Sequence, residues 1–315
     1  MFGRGAIASV CGWTLEQAGH DVEFYVRPGR AAAYGETISL DLFDTRRRLW
    51  GQRVVEKWPV RFREELGPDH DFDLIVLSVP HHRLAEATAF LAPRVGGATV
   101  LMFGNIWSEP LTAIGAIPED RVVWGFPQGG GSFGEDGVLR GMILPSVIFG
   151  TLDQRISERG RVVRQTFRDA GCRLKERPDF RGWLWMHFVA DAGLHAQGLK
   201  LGSLSDLLGA TGALREALLT SRELLPLVEA RGVDLRRYRG WVLAYRAPSW
   251  LTARALSWVL THIALARRGL EVHADPDAEE PRAICRDTLR EARRLGVAVP
   301  RLEAAEPSFA NEETD

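Results

Sequence analysis

Apolar residues in the first half of the chain fall into short runs separated by helix-length stretches. Gly3-Arg4-Gly5-Ala6-Ile7-Ala8 leads into a segment where Val10, Trp13, Leu15 and Ala18 follow a helical period. Gly19-His20 ends that helix, and 21–27 follows as a strand rich in β-branched and aromatic residues. The same pattern predicts strands at 38–43, 53–58, 73–79, 98–103, 122–126 and 146–149, with a helix over about 84–91. Strands alternating with helices in this order define an α/β fold, a Rossmann-like doubly wound parallel sheet.

After a strand near 173–176 the period changes to a helical one. Helices are predicted at 180–199, 203–208, 213–230, 241–245, 251–267 and 280–295, and the polar tail after Pro300 is expected to fray. The chain therefore reads as a Rossmann-like α/β domain over 1–175, followed by a mostly helical domain over 176–315. Its length of 315 residues suits two domains of ordinary size.

Charge and cysteine usage narrow the class. Forty Lys+Arg against 41 Asp+Glu leave a net charge of −1, so no basic surplus points to nucleic acid. Three cysteines, Cys11, Cys172 and Cys285, are widely spaced and form no CxxC. That suits a reducing cytoplasm and offers neither a disulfide framework nor a metal site. The N-terminus has no secretory apolar run. The longest apolar stretch, 250–266, is broken by Arg254 and His262 and is too short to span a membrane; a packed helix is expected there.

Gly3-x-Gly5-x-x-Ala8 opening a helix is the spacing of a dinucleotide loop, in which backbone N–H groups and the helix dipole face a pyrophosphate. The cofactor-binding candidates are thus Gly3, Arg4, Gly5, Ala6, Ile7 and Ala8. The following strand ends in Arg27, with Arg30 three residues on and no carboxylate between. Cations there complement a 2′-phosphate, so NADPH is expected over NADH. Only Met1 and Phe2 precede Gly3, whereas a full strand should. Either the first strand is truncated or a standard nucleotide site has been abandoned.

GRGAIASVCGWTLEQAGHDVEFYVRPGR, DFDLIVLSV, MFGNIW and ARRLGVAVP, taken in order, resemble the ketopantoate reductase (2-dehydropantoate 2-reductase) family. The resemblance runs over nearly the whole chain, strong in the first domain and patchy in the second. It implies a Rossmann domain, a helical C-terminal domain, NADPH, and hydride delivery to a 2-keto acid in a cleft between the domains. It also implies dimerisation through the helical domain. Asn105 in FGNIW matches the family's asparagine near nicotinamide and substrate, and Ser78 and Val79 match backbone that lies along the dinucleotide. The family's catalytic lysine falls on His187 within Trp185-Met186-His187-Phe188, and its next asparagine falls on Asp191. Counting back from Pro300 puts Glu280 at a substrate-contacting glutamate, although Pro281 and Arg282 depart from the family pattern.

Residues i and i+4 share a helix face, so His187 and Asp191 can meet and act as an acid–base pair near neutrality. A second family lysine is replaced by Pro80, followed by His81 and His82, which do not by themselves make a metal site. Without both lysines a small 2-keto acid is poorly anchored, and ketopantoate itself is not the expected substrate. Trp107, Trp124, Trp183 and Trp185 fall in segments expected to border the cleft, although most of the tryptophans are expected in the core. The glycines of the flexible loop 126–133 permit either a close backbone approach or a lid movement. Together they point to a ketone or imine on a bulky, aromatic or secondary-metabolite substrate. Two alternatives remain open at this point: a redox-silent cyclase, isomerase or lyase using His187 and Asp191, and a non-catalytic sensor of NADPH or a metabolite.

Overall fold

Every residue from Ala8 to Leu15 is buried. A helix that faced one sheet would bury only a stripe, so burial all round requires partners on both sides. The computed structural model, which describes residues 1–47, 51–153, 155–271 and 279–310, supplies them as two sheets. In chain order the strands are β1 (Phe24–Tyr25), β2 (Thr37–Asp44), β3 (Gln52–Pro59), β4 (Phe62–Arg63), β5 (Leu74–Leu77) and β6 (Thr99–Phe103). They continue with β7 (Val122–Phe126), β8 (Gly130–Phe133), β9 (Leu139–Ile143), β10 (Ser146–Gly150) and β11 (Arg173–Arg177). The chain divides into two compact units, Met1–Arg181 and Gly182–Asp315, and all eleven strands belong to the first.

The main sheet has β11-β10-β7-β6-β5 hydrogen-bonded in that order and β1 paired with β4. All of these pairings are parallel except β10 with β7. Phe2 makes parallel bridges to Tyr25 on one side and Leu77 on the other, which joins the two groups of strands. Its N–H donates to Val76 O at 2.9 Å, Gly3 N–H donates to Tyr25 O at 2.9 Å, and Tyr25 N–H donates to Met1 O at 2.9 Å. Met1–Gly3 thus hold the central place between β1 and β5. Helix Ala6–Glu16 leaves from this point and crosses to the second sheet, of order β3-β2-β9-β8. Phe24, Leu101 and Phe149 of the main sheet and Leu40, Leu42 and Leu139 of the second are buried in one core with the helix.

Most predicted elements are present, and the exceptions have local causes. In the stretch 126–133 the glycines serve the close backbone approach, the first of their two expected uses, and the segment is part strand instead of loop, because Gly130–Phe133 pairs antiparallel with β9. A Cβ on Gly129 would lie 2.2 Å from Met142 O, and one on Gly131 2.8 Å from Arg140 O. These glycines let the two backbones approach. Strands β4, β8 and β9 and the helix Glu158–Asp169, capped by Ser157 Oγ accepting Gly160 N–H at 3.0 Å, are additions to the sequence reading. The long helix expected over 213–230 breaks into Thr211–Glu223 and Leu225–Ala230, with Pro226 in the first turn of the second. The one expected over 251–267 breaks at Ile263, whose backbone is extended. Of 203–208 only a short 3-10 turn, Ser205–Leu207, forms.

The second unit is helical throughout its described residues. Helix Phe180–Leu201 runs into it from the end of the first unit and buries Trp185, Phe188, Val189, Ala192 and Ala196. Helix Thr211–Glu223 crosses it at Gly193, where a Cβ would lie 2.1 Å from Ser221 Oγ and 2.7 Å from Ala217 O. One of those obstacles is backbone, so Gly193→Ala is expected to cost about 1–3 kcal/mol by overpacking. A denaturation midpoint unchanged from the parent protein would show that the two helices separate freely. Among the described residues, no helix is long and apolar enough to cross a membrane.

Candidate active site

The parallel strands β1, β5 and β6 and the bridge residue Phe2 all end at one edge of the main sheet, where open α/β sheets bind ligands. Gly3 there has φ +89°, in the left-handed region natural to glycine. A Cβ at Gly3 or Gly5 would meet no atom within 4 Å, so the space over the loop is open. Gly5 caps helix Ala6–Glu16 without a side-chain bond, and the first helical hydrogen bond is Ser9 N–H to Gly5 O at 2.9 Å. The N–H groups of Gly5, Ala6, Ile7 and Ala8 are therefore left without intrahelical acceptors, and the first turn carries no acid to oppose an anion.

Two further strand ends lie alongside. Val79 follows β5 and Gly104 follows β6, with Val79 O 3.6 Å from where a Gly104 Cβ would be, and Asn105 comes next, half-buried. Ser78 Oγ is buried without a hydrogen-bond partner. The first unit thus brings Gly3–Ala8, Ser78, Val79 and Asn105 to one edge.

Cations gather at the same end of β1. Arg4 places its guanidinium 4.8 Å from the Tyr34 ring centroid and 4.3 Å from that of Phe133, and its Nε is buried without a hydrogen-bond partner. Arg30 approaches the Tyr34 ring at 5.7 Å, and Arg27 is exposed. The sequence reading missed Tyr34, Phe133 and Glu64. Glu64 follows the two-residue β4, and its Oε1 accepts the Ala31 N–H at 2.7 Å. Hydrogen bonds from the Ala31 backbone first, then from Gly29 and Arg30, hold its carboxyl below the ordinary glutamate range. A carboxylate therefore stands in a loop where the primary sequence shows none, delivered by the neighbouring strand. Pairing of β1 with β4 is the only signal for it, and a two-residue strand leaves little pattern to read.

The second unit holds the other candidates. His187 Nε2 lies 3.4 Å from Asp191 Oδ2 along helix Phe180–Leu201, and both side chains are partly exposed. The Trp183 ring stacks on His187 at 5.2 Å with 10° between planes, fixing one face of the imidazole. Glu280 is half-buried in the first turn of helix Glu279–Leu295. Trp107, Trp124, Trp183 and Trp185 are all buried, at 8%, 6%, 4% and 0% exposure, so their rings fill cores instead of lining an open pocket. His81 and His82 meet edge to face at 5.7 Å, and no group of ligands fit for a metal occurs among the described residues.

Residues 1–154 match the family model of ketopantoate reductase PanE/ApbA. No curated protein sequence matches the chain. Among solved structures, 2-dehydropantoate 2-reductase from Geobacter metallireducens GS-15 is 18% identical, with a TM-score of 0.70 over 98% of this chain and 97% of that one. A D-mandelate dehydrogenase solved with NADH and anilino(oxo)acetate is 14% identical, with a TM-score of 0.72 over 98% and 97%. A dimeric ketopantoate reductase from Staphylococcus aureus is 15% identical, with a TM-score of 0.60 over 98% and 97%. The Rossmann-like unit and its matched family define the class, a nicotinamide-dependent oxidoreductase. Within that class, it is the ketopantoate reductase family that residues 1–154 match.

Proposed function

We propose that the protein is an NADPH-dependent reductase acting on a ketone or imine of a bulky substrate other than ketopantoate. The observation that carries the nucleotide reading is the open glycine loop at the start of helix Ala6–Glu16, with unpaired N–H groups and no acid beside it. Gly3, Arg4, Gly5, Ala6, Ile7 and Ala8 would cradle the pyrophosphate, and Ser78, Val79 and Asn105 would follow the chain of the cofactor towards the nicotinamide. Arg27, Arg30 and the half-sandwiched Arg4 supply the positive charge that a 2′-phosphate requires. The bound nicotinamide would supply a hydride.

His187 would protonate the oxygen or nitrogen that gains charge as the carbonyl or imine is reduced. Asp191, 3.4 Å away, would hold the ring and stabilise its charged form, and Trp183 restricts its rotation. Asn105 would hydrogen-bond the reacting group, and Glu280 would contact the substrate. Replacement of the family lysines by His187 and by Pro80 supports a substrate that does not depend on a lysine-held carboxylate. A secondary metabolite processed in the cytoplasm by a homodimer fits this reading.

Titration with NADPH and NADH, followed by calorimetry and tryptophan fluorescence, tests it. Micromolar NADPH binding, weaker NADH binding, and a loss of about tenfold or more in NADPH affinity in Arg27→Ala are expected for a charge-assisted phosphate contact. Absence of binding at millimolar nucleotide overturns the proposal.

A further inference from the structure

The Rossmann rule assigns discrimination at the cofactor's 2′ position to the residue ending the second strand, an acid for a hydroxyl or an arginine for a phosphate. Here the strand end carries Arg27, yet parallel pairing of Phe24 with Phe62 and Tyr25 with Arg63 places the next residue of the neighbouring strand, Glu64, against the same loop. Its carboxylate accepts the Ala31 N–H at 2.7 Å, while the Arg30 N–H donates to Arg27 O at 3.1 Å. In the loop that would meet a 2′-phosphate, the Ala31 amide is therefore already occupied by an anion of the protein itself, and the Arg30 amide by the Arg27 carbonyl. Glu23, the acid that precedes β1, is held by Arg63 at 2.8 Å.

From this arrangement we infer that Glu64 is a specificity-determining residue for the nucleotide: it withholds the Ala31 amide from a 2′-phosphate and opposes its charge, leaving recognition to the side chains of Arg4, Arg27 and Arg30. The inference rests on the nucleotide-site reading above. Two opposing signs then act on one position. The arginines favour NADPH, and Glu64 limits how strongly they do so, so the ratio of NADPH to NADH affinity is set by both. A ribose 2′-hydroxyl carries no charge for Glu64 to repel.

Glu64→Gln tests this, because the amide keeps an oxygen for the Ala31 N–H while removing the charge. Calorimetry with NADPH, NADH, 2′,5′-ADP and 5′-AMP on the parent protein and the variant needs no turnover. The variant should bind NADPH and 2′,5′-ADP about five- to tenfold more tightly, the scale of one like-charge contact in water. NADH and 5′-AMP should bind as before. Glu64→Ala, which frees the Ala31 amide as well, should keep or enlarge the gain. If both nucleotides change by the same factor, Glu64 serves only to hold the loop, and the inference falls. Unchanged affinities in both variants overturn it equally. If none of the four probes binds either protein, the nucleotide-site reading fails and takes the inference with it, a result distinct from binding with an unaltered ratio.

Discussion

Replacing His187 with alanine should lower kcat by about 10²–10⁴-fold, the range of a positioned proton donor, while the dissociation constant for nucleotide stays unchanged. The separation follows from the chain's layout: His187 is on helix Phe180–Leu201 of the second unit, and the glycine loop is part of the first. A carbonyl panel consumed at the expense of nicotinamide absorbance supplies the assay. Asp191→Asn should cost less, because the amide still accepts from the ring but no longer balances its charge. His187→Lys makes the sharper test. Reduction needs the protonated acid, so the rate falls as pH rises through its pKa. An ordinary lysine titrates near 10.4 and an ordinary histidine near 6.5, so the alkaline limb in the lysine variant should move to higher pH. Full activity in His187→Ala would remove the proton-donor role and return the search to Asn105 and Glu280.

His187 and Asp191 were legible because an i, i+4 spacing on a helix needs no tertiary knowledge. The glycine loop was legible for the same reason, since a turn opening a helix is local. Glu64 was not. Its place beside Ala31 depends on the pairing of β1 with β4, two residues each, and no periodicity announces so short a strand. That Gly130–Phe133 is a strand was not legible for a related cause. Glycines usually mark a loop, yet here they sit where strand backbones come within reach of each other and a Cβ would collide. The helix Ala6–Glu16 is a further case: its helical period was legible, but burial from Ala8 to Leu15, Ser9 and Thr14 included, comes from a second layer, the β3-β2-β9-β8 sheet, that the period did not announce. Local chemistry was thus readable, and chemistry assembled across strands was not.

The tryptophans carry the same distinction into a measurable quantity. Trp185 lies beside His187 in sequence, which invites a role in the pocket, but its side chain is fully buried. The Arg231 guanidinium covers its ring at 3.7 Å from the centroid, and Arg231 is itself 3.4 Å from Glu291. Glu291 is held below the ordinary carboxylate range, first by its hydrogen bonds from Arg294. Trp185 is therefore the apolar floor of a cation that is nearly out of water. Trp185→Ala removes a large buried ring and leaves a void under Arg231, so it should destabilise the second unit by about 3–5 kcal/mol. Trp185→Phe keeps a ring face and should lose less, since a cation over an aromatic face is worth about 0.5–2 kcal/mol and phenyl retains part of it. Urea denaturation followed by circular dichroism reads the loss, and far-UV spectra before denaturation confirm that each variant folds. A pocket-lining indole predicts the reverse: a raised KM for the carbonyl substrate with the midpoint unmoved. Should Trp185→Ala behave in that second way, its assignment to the core is wrong and the aromatic pocket expected from the sequence is restored.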